Sequence, residues 1–486
     1  MRDPGRILLL SCYELGHQPL ALALLAAFLE RAGFHPALRD LSVAPLDRAD
    51  VERAALIAIS VPMHTALRIG AGVGRRVKAQ NPRCHLAYFG HYAFLHAGSL
   101  RRECGADSVF GGECEAALVT LAEQLARTGS ASAAPARTGS ASAAPARTGP
   151  ASAPAPLLAA PPLAVAPHLA RLDFPVPSRG GLPGLRHYTH LERDGERVPA
   201  GYVEASRGCL HHCRHCPLPP VYGGRFFVVP AAVVLADIAA LVAAGAGHIT
   251  FGDPDFLNGP GHVLRVVRAM HERFPHVTFD VTTKVSHIVK HRTLFVELAA
   301  LGCAFVVSAV ESLSDRVLAI LRKGHTRADV TTALRVLRAA RIPLRPTFVA
   351  FTPWTTADDY GEILAFVARE GLIDHVDPVQ YALRLLVPPG SHLLARPELA
   401  PYLGDLDPAA ATYRWTHPDP RLDALAAEVA LLVATAARRQ DDALATFAAI
   451  SALVHERLGD RSGAAPAFPA ARERVRPPRL TEDWFC

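Results

Sequence analysis

Lysine is nearly missing from this chain. Only Lys78, Lys284, Lys290 and Lys323 occur in 486 residues, so arginine supplies almost all of the 51 basic side chains. With abundant Ala and Pro, this is the pattern of GC-rich coding. No block of Lys or Arg interleaved with aromatics appears, so the net charge of +6 implies no nucleic-acid partner. An export signal is also lacking: the apolar run in the first ten residues is too short and leads into a strand pattern, which points to a cytoplasmic protein. The stretch from Phe226 to Gly247 is long and apolar. Pro230 near its start and Gly245-Ala-Gly247 at its end fit a strand followed by a buried helix, not a membrane span. Cysteines are sparse and odd in number, nine in all, which excludes a disulfide framework.

The length allows two or three domains, and half the residues are hydrophobic with a fifth charged, an ordinary globular balance. Residues 1–126 alternate strand-like and helix-like runs. Arg6–Ser11, Ala55–Ser60, His85–Phe89 and Asp107–Phe110 read as strands. Leu20–Ala32, about 65–80 and Glu113–Arg127 read as helices. The alternation predicts an α/β fold with a doubly wound, Rossmann-like parallel sheet. Residues 127–165 hold a decapeptide repeat, Ala126-Arg-Thr-Gly-Ser-Ala-Ser-Ala-Ala-Pro135 and its copies. Without large apolar side chains it cannot bury a core, and a disordered linker is expected.

The alternation resumes over 166–400, after a lead-in. Gly201–Ser206, His248–Phe251, Val277–Val281, Phe305–Ser308, Leu344–Val349 and Val379–Arg384 give about six strands separated by helices. A partial (β/α)6 barrel is predicted, with its chemistry at the carboxyl ends of the strands. Residues 401–486 read as a mostly helical extension, notably Arg421–Arg439.

Directly after the first barrel strand stands Cys209-Leu-His-His-Cys213-Arg-His-Cys216, a C-x₃-C-x₂-C run. Thiolates are soft ligands for iron–sulfur clusters or zinc. Three ligands without an evident fourth suit a four-iron cluster with one iron open to a reactive ligand. The other reading is a zinc site of mixed Cys and His ligands in a non-catalytic binding protein. However, no second C-x₂-C occurs to make the usual paired knuckles.

The run, with His215 before the last Cys, resembles the signature of the radical S-adenosylmethionine (SAM) superfamily. That resemblance implies a 4Fe-4S cluster on Cys209, Cys213 and Cys216, which cleaves SAM reductively to start radical chemistry. It also implies a reducing partner such as a flavodoxin or ferredoxin. By the same resemblance, Asp253 and Asp255 of Phe251-Gly-Asp-Pro-Asp-Phe256 would receive the cationic SAM amino group. Glu311 of Val307-Ser-Ala-Val-Glu-Ser312 would meet the ribose or methionyl end. Arg322-Lys-Gly-His325 and Pro388-Pro-Gly-Ser391 resemble further elements of the superfamily members that carry a cobalamin-type domain.

The N-terminal domain resembles that cobalamin-binding domain through Gly90-His-Tyr-Ala93 and Gly111-Gly-Glu-Cys-Glu115. Cobalamin, and with it a cobalamin-dependent radical SAM methyltransferase, is therefore the alternative expectation. The Asp-x-His-x-x-Gly element that carries the lower cobalt ligand is absent after the first strand. The loops bearing Cys12, Tyr13, Glu14, His17, His64, His91 and Tyr92 could hold a substrate instead. The end, Arg476 to Trp484-Phe-Cys486, resembles that of a radical SAM subfamily named for a Cys-Sec-Ala-Glu-Pro or Cys-Cys-Ala-Glu-Pro tail. In the selenium version the codon after Cys486 would be UGA, which makes the chain a candidate selenoprotein.

Overall fold

A computed structural model describes residues 1–131, 166–459 and 476–481. The repeat of 132–165 and Cys486 lie outside the described residues.

Near the N-terminus, β1 (Ile7–Ser11), β2 (Ala37–Asp40), β3 (Leu56–Ser60), β4 (His85–Phe89) and β5 (Ser108–Phe110) form one sheet in the order β2-β1-β3-β4-β5. Every pairing is parallel. The central strands β1 and β3 are buried along their whole length, as continuous apolar runs require when both faces are covered. Helices Leu20–Arg31 and His64–Gln80 pack into two separate apolar cores that also hold alternate β1 side chains. The sheet is therefore doubly wound. Strand β2 escapes the sequence pattern because it is a short edge strand ending in Arg39 and Asp40.

The second body is built on β6 (His190–Arg193), β7 (Glu196–Val203), a small ribbon of β8 (Ser206–Gly208) with β9 (Phe226–Val228), then β10 (His248–Phe251), β11 (Thr278–Thr282), β12 (Cys303–Glu311) and β13 (Leu344–Phe348). The large sheet runs β13-β12-β11-β10-β7-β6. Its members β7, β10, β11, β12 and β13 are mutually parallel, with helices between them, so this is a partial barrel. The sixth expected strand is reduced to one parallel bridge, Phe351 with Arg384. Pro378–Tyr381 coils into a 3₁₀ turn, and the Gln380 side chain accepts the Phe348 N–H that a sixth strand would take.

The C-terminal extension opens with a ribbon of β14 (Leu403–Asp407) and β15 (Thr412–Trp415). Helices Pro420–Arg439 and Ala443–Leu458 then bury Leu422, Leu425, Val429, Phe447 and Ile450 in the barrel core. A last strand, β16 (Arg479–Leu480), returns to pair antiparallel with β6 and covers that edge of the sheet. Among the described residues no helix is long and apolar enough to cross a membrane.

Candidate active site

The cysteine loop leaves the end of β8 and is fixed from several sides. Asp253, just past β10, accepts from Ala205 N (2.9 Å) and Ser206 Oγ (2.6 Å), which clamps the chain leading into the loop. Arg214 donates from its backbone to Leu321 O and from its side chain to Ile320 O, both 2.9 Å. Ser391 donates to Arg214 O at 3.1 Å, so the Pro388–Ser391 segment props the loop from outside. Cys213 is buried, while Cys209 and Cys216 are partly exposed. Burial among the other thiols pushes Cys216 up to about 12 and raises Cys209 as well. Until a metal takes them, these thiols hold their protons.

Two of the four lysines converge here. Lys284, after β11, places Nζ 3.6 Å from Cys213 Sγ, and among the described residues no carboxylate pairs with it. Its backbone N–H is directed at Asp255 Oδ1, 3.4 Å away. Lys323 is buried and donates to Glu311 Oε1 at 3.2 Å, while His215 of the cysteine loop lies 3.1 Å from the same oxygen. Burial alone would raise Glu311, but Lys323 and His215 outweigh it and hold the carboxyl down at about 2. Glu311 sits at φ 64°, where the β12–β13 register breaks; that left-handed turn, costly for a non-glycine residue, swings the carboxylate out of the sheet toward the loop.

Asp255 is fully buried. It lies 2.8 Å from both His211 Nε2 and His287 Nδ1 and accepts from Thr283 Oγ1 at 2.7 Å. Those partners overcome burial and keep its carboxyl well below the usual range. The structure thus brings Asp255 and Glu311 against the cysteine loop and sets Asp253 on the segment that leads into it. Asp253 acts as a strand clamp, Asp255 ties His211 of the loop to β11, and Glu311 pairs with Lys323. Sequence reasoning missed Lys284, Thr283, His287 and the role of His211. The scarcity of lysine was the one signal that could have drawn attention to Lys284.

Next to the loop, a cavity of about 300 Å³ lies between the carboxyl edges of the two sheets. From the N-terminal domain Glu14, His17, His91 and Glu115 line it, and from the barrel Tyr202, Glu204, Arg207 and Tyr222. A buried ionic bridge closes one side: Arg207 Nη1 reaches Glu113 at 3.1 Å and Glu115 at 2.7 Å, and Tyr222 donates to Glu113 at 2.9 Å. His17 lies against Tyr202 at 4.8 Å between ring centroids, and His91 against Tyr222 at 5.4 Å. Of the other loop residues, His64 meets the Ala410 carbonyl, Tyr92 stacks on His96, and Cys12 is buried in the sheet core with its thiol pushed up to about 12.

Burial and the nearby Asp40 push Glu14 up to about 8, against hydrogen bonds from Ser11 and Ser60. A raised carboxyl keeps a proton in the folded chain that the unfolded chain releases, so stability falls as pH rises from about 4.5 to 8. Glu14→Gln should therefore melt only slightly above wild type at pH 5, a few degrees above it at pH 8, and level off beyond. Melting curves across pH check this; a difference that does not change with pH would contradict it.

Residues 203–367 match the family model of the Radical SAM superfamily. Among curated proteins, a tRNA-2-methylthio-N(6)-dimethylallyladenosine synthase of Haemophilus influenzae is 25% identical over 202 residues, 38% of this chain and 42% of that protein. The chain thus aligns with less than half the length of that relative. The hopanoid C-3 methylase of Methylococcus capsulatus is 24% identical over 343 residues, 69% of this chain and 62% of that protein. The solved structure of OxsB, a cobalamin-dependent SAM radical enzyme, covers 88% of this chain and 67% of its own, with TM-score 0.65 and 14% identity. That of TsrM, a radical SAM methyltransferase from Kitasatospora setae, covers 75% and 71%, with TM-score 0.55 and 20% identity. These two share the fold of both bodies.

Proposed function

We propose that this chain, whose residues 203–367 are a radical SAM domain, holds a 4Fe-4S cluster on Cys209, Cys213 and Cys216 and cleaves SAM reductively to begin radical chemistry on a further substrate. The observation that carries the reading is the thiol triad on one braced loop at the barrel's carboxyl edge, with two ammonium groups turned toward it. The donor set fits such a cluster: three soft ligands on eight residues, no disulfide among them, and positive charge nearby to offset the thiolates. A cluster held by these three thiols would supply the one electron needed to cleave SAM reductively.

The chain's own residues then have distinct tasks. Asp253 holds the approach to the loop, and Asp255 with His211 fixes the loop against β11. Glu311 is charged and faces the site, suited to the cationic or hydroxyl groups of SAM. Lys284 donates toward Cys213 sulfur, and a positive charge there favours the more negative, reduced state. Lys284→Met should move the cluster midpoint potential to more negative values, while Lys284→Arg should keep most of it. An EPR-monitored redox titration without SAM reads this directly. Equal potentials in Met and wild-type proteins would contradict the role.

A second reading, cobalamin-dependent methyl transfer, is supported by the fold shared with OxsB over 88% of this chain and by the reach of the hopanoid methylase alignment. The residues present do not fit cobalamin as they stand. The cavity is only about 300 Å³, at the low end of the range for drug-sized ligands (about 300–1,000 Å³), and the Arg207 bridge closes one side of it. A corrin would enter only with that bridge open, so no step is assigned to it. Expression with the vitamin supplied tests this reading: retained corrin absorbance after gel filtration would favour it.

A further inference from the structure

The cavity between the two sheets is short of positive charge. Its lining includes the carboxylates Glu14, Glu115 and Glu204, and its one arginine, Arg207, is already engaged by Glu113 and Glu115. Glu204 lies 3.5 Å from the same guanidinium, at the edge of pairing distance. Glu115 is 4% exposed, and among the described residues its Oε2 has no hydrogen-bond partner, although Oε1 is held by Arg207. Nδ1 of His91, on the same wall, is likewise buried without a partner among the described residues. Buried acceptors are normally satisfied, so an orphan carboxylate oxygen in the wall of a cavity marks a place where a donor is missing. Among the described residues, Glu14 receives two serine hydroxyls, at 3.2 and 3.5 Å. Around these acids stand Leu20, Leu24, Met63, Phe89 and Phe251, which offer an apolar body its contact surface.

From this we propose that the cavity binds a small amine-bearing substrate, whose ammonium group lies among Glu14, Glu115 and Glu204 and whose apolar body faces the end of β10. The proposal rests on the reading of the barrel as a SAM-cleaving site, because the residues 250–254 that border the cavity run into the Asp253 clamp of the cysteine loop. A volume of about 300 Å³ suits a molecule the size of an aromatic amine or amino-acid derivative. Burial holds both Glu14 and Glu204 at about 8, Glu204 in spite of Arg207, as expected of carboxyls without a sufficient counter-cation in the protein. An ammonium ligand would supply that cation. A neutral ligand would leave the acids largely protonated, and an anion would find no unengaged positive charge in the lining to meet it.

Three probes with one body and different charge test this: tyramine, its alcohol analogue tyrosol, and 3-(4-hydroxyphenyl)propanoate. Each is titrated calorimetrically into the reconstituted full chain with SAM present at saturation, at pH 7.5. Tyramine should bind at least tenfold more tightly than tyrosol, and the propanoate more weakly still. Glu14→Gln and Glu204→Gln, on opposite walls and not bonded to the thiols, should each cut the tyramine preference at least fivefold with iron content unchanged. Equal binding of the three probes, no binding of any, or an undiminished preference in both variants would overturn the inference. SAM cleavage by dithionite is measured on the same preparation. Loss of cleavage there speaks against the barrel reading, whereas intact cleavage without charge preference speaks against the amine site alone.

Discussion

Cys209→Ala, Cys213→Ala and Cys216→Ala will each abolish reductive SAM cleavage, by more than about a hundredfold, and lower iron per folded chain. The expected loss exceeds the roughly 10–100-fold that removal of an outer-shell partner costs, because a ligand itself is lost. The three thiols share one loop, held at its approach by Asp253 and at its middle through Arg214 and Ser391, and the other described cysteines lie away from it. Cys12, Cys84 and Cys104 lie in the N-terminal core, and Cys303 begins β12 within the barrel core. Their alanine variants should keep iron near the wild-type level. Iron analysis and 5′-deoxyadenosine formation under dithionite decide the matter. Wild-type cleavage by any of the three loop variants would show the ligand assignment to be wrong.

Arg207→Met will destabilise the joined domains by about 3–5 kcal/mol, the usual effect of stranding buried charge when one partner of an ion pair is removed. Arg207 is largely buried, and the side chains it would abandon, Glu113 and Glu115, are 0% and 5% exposed. In melting curves this corresponds to a drop on the order of 10 °C for the affected transition. Adding Glu113→Gln and Glu115→Gln to Arg207→Met should recover most of the loss, since amides in those places need no counter-charge. A single variant that melts with wild type, or a triple variant no better than the single, would mean that the bridge does not hold the domains together.

Much of the site could be read from the sequence because its first layer is local. The thiols fall within eight consecutive residues, and Asp253, Asp255 and Glu311 each stand at or just past the end of a strand whose apolar run marks where the carboxyl edge must be. What could not be read is the layer of partners. Asp255 meets His211 from the cysteine loop, 44 residues earlier, and Thr283 from the end of β11, 28 residues later. The Arg207 bridge spans 94 residues to Glu113 and crosses from one domain to the other. Pattern alone gives no such pairing. Gly112-Glu113-Cys114-Glu115 was visible as an element, but its engagement of Arg207 and Tyr222 was not. The fold was legible where strands are continuously apolar, as in β1 and β3, and failed at short or capped ones. Strand β2 is an edge strand ending in charges, and the sixth barrel strand gives way to a proline-started 3₁₀ turn whose Gln380 side chain replaces a ladder bond. The return of β16 to the barrel edge rests on two residues, too few for any periodicity.

One measurement tests the central claim most directly: anaerobic reconstitution of the full chain with iron and sulfide, followed by SAM and dithionite. The account predicts a brown protein with about four irons per chain, broad absorbance that bleaches on reduction, and formation of 5′-deoxyadenosine and methionine. A colourless protein that instead binds one zinc tightly and leaves SAM intact would contradict it.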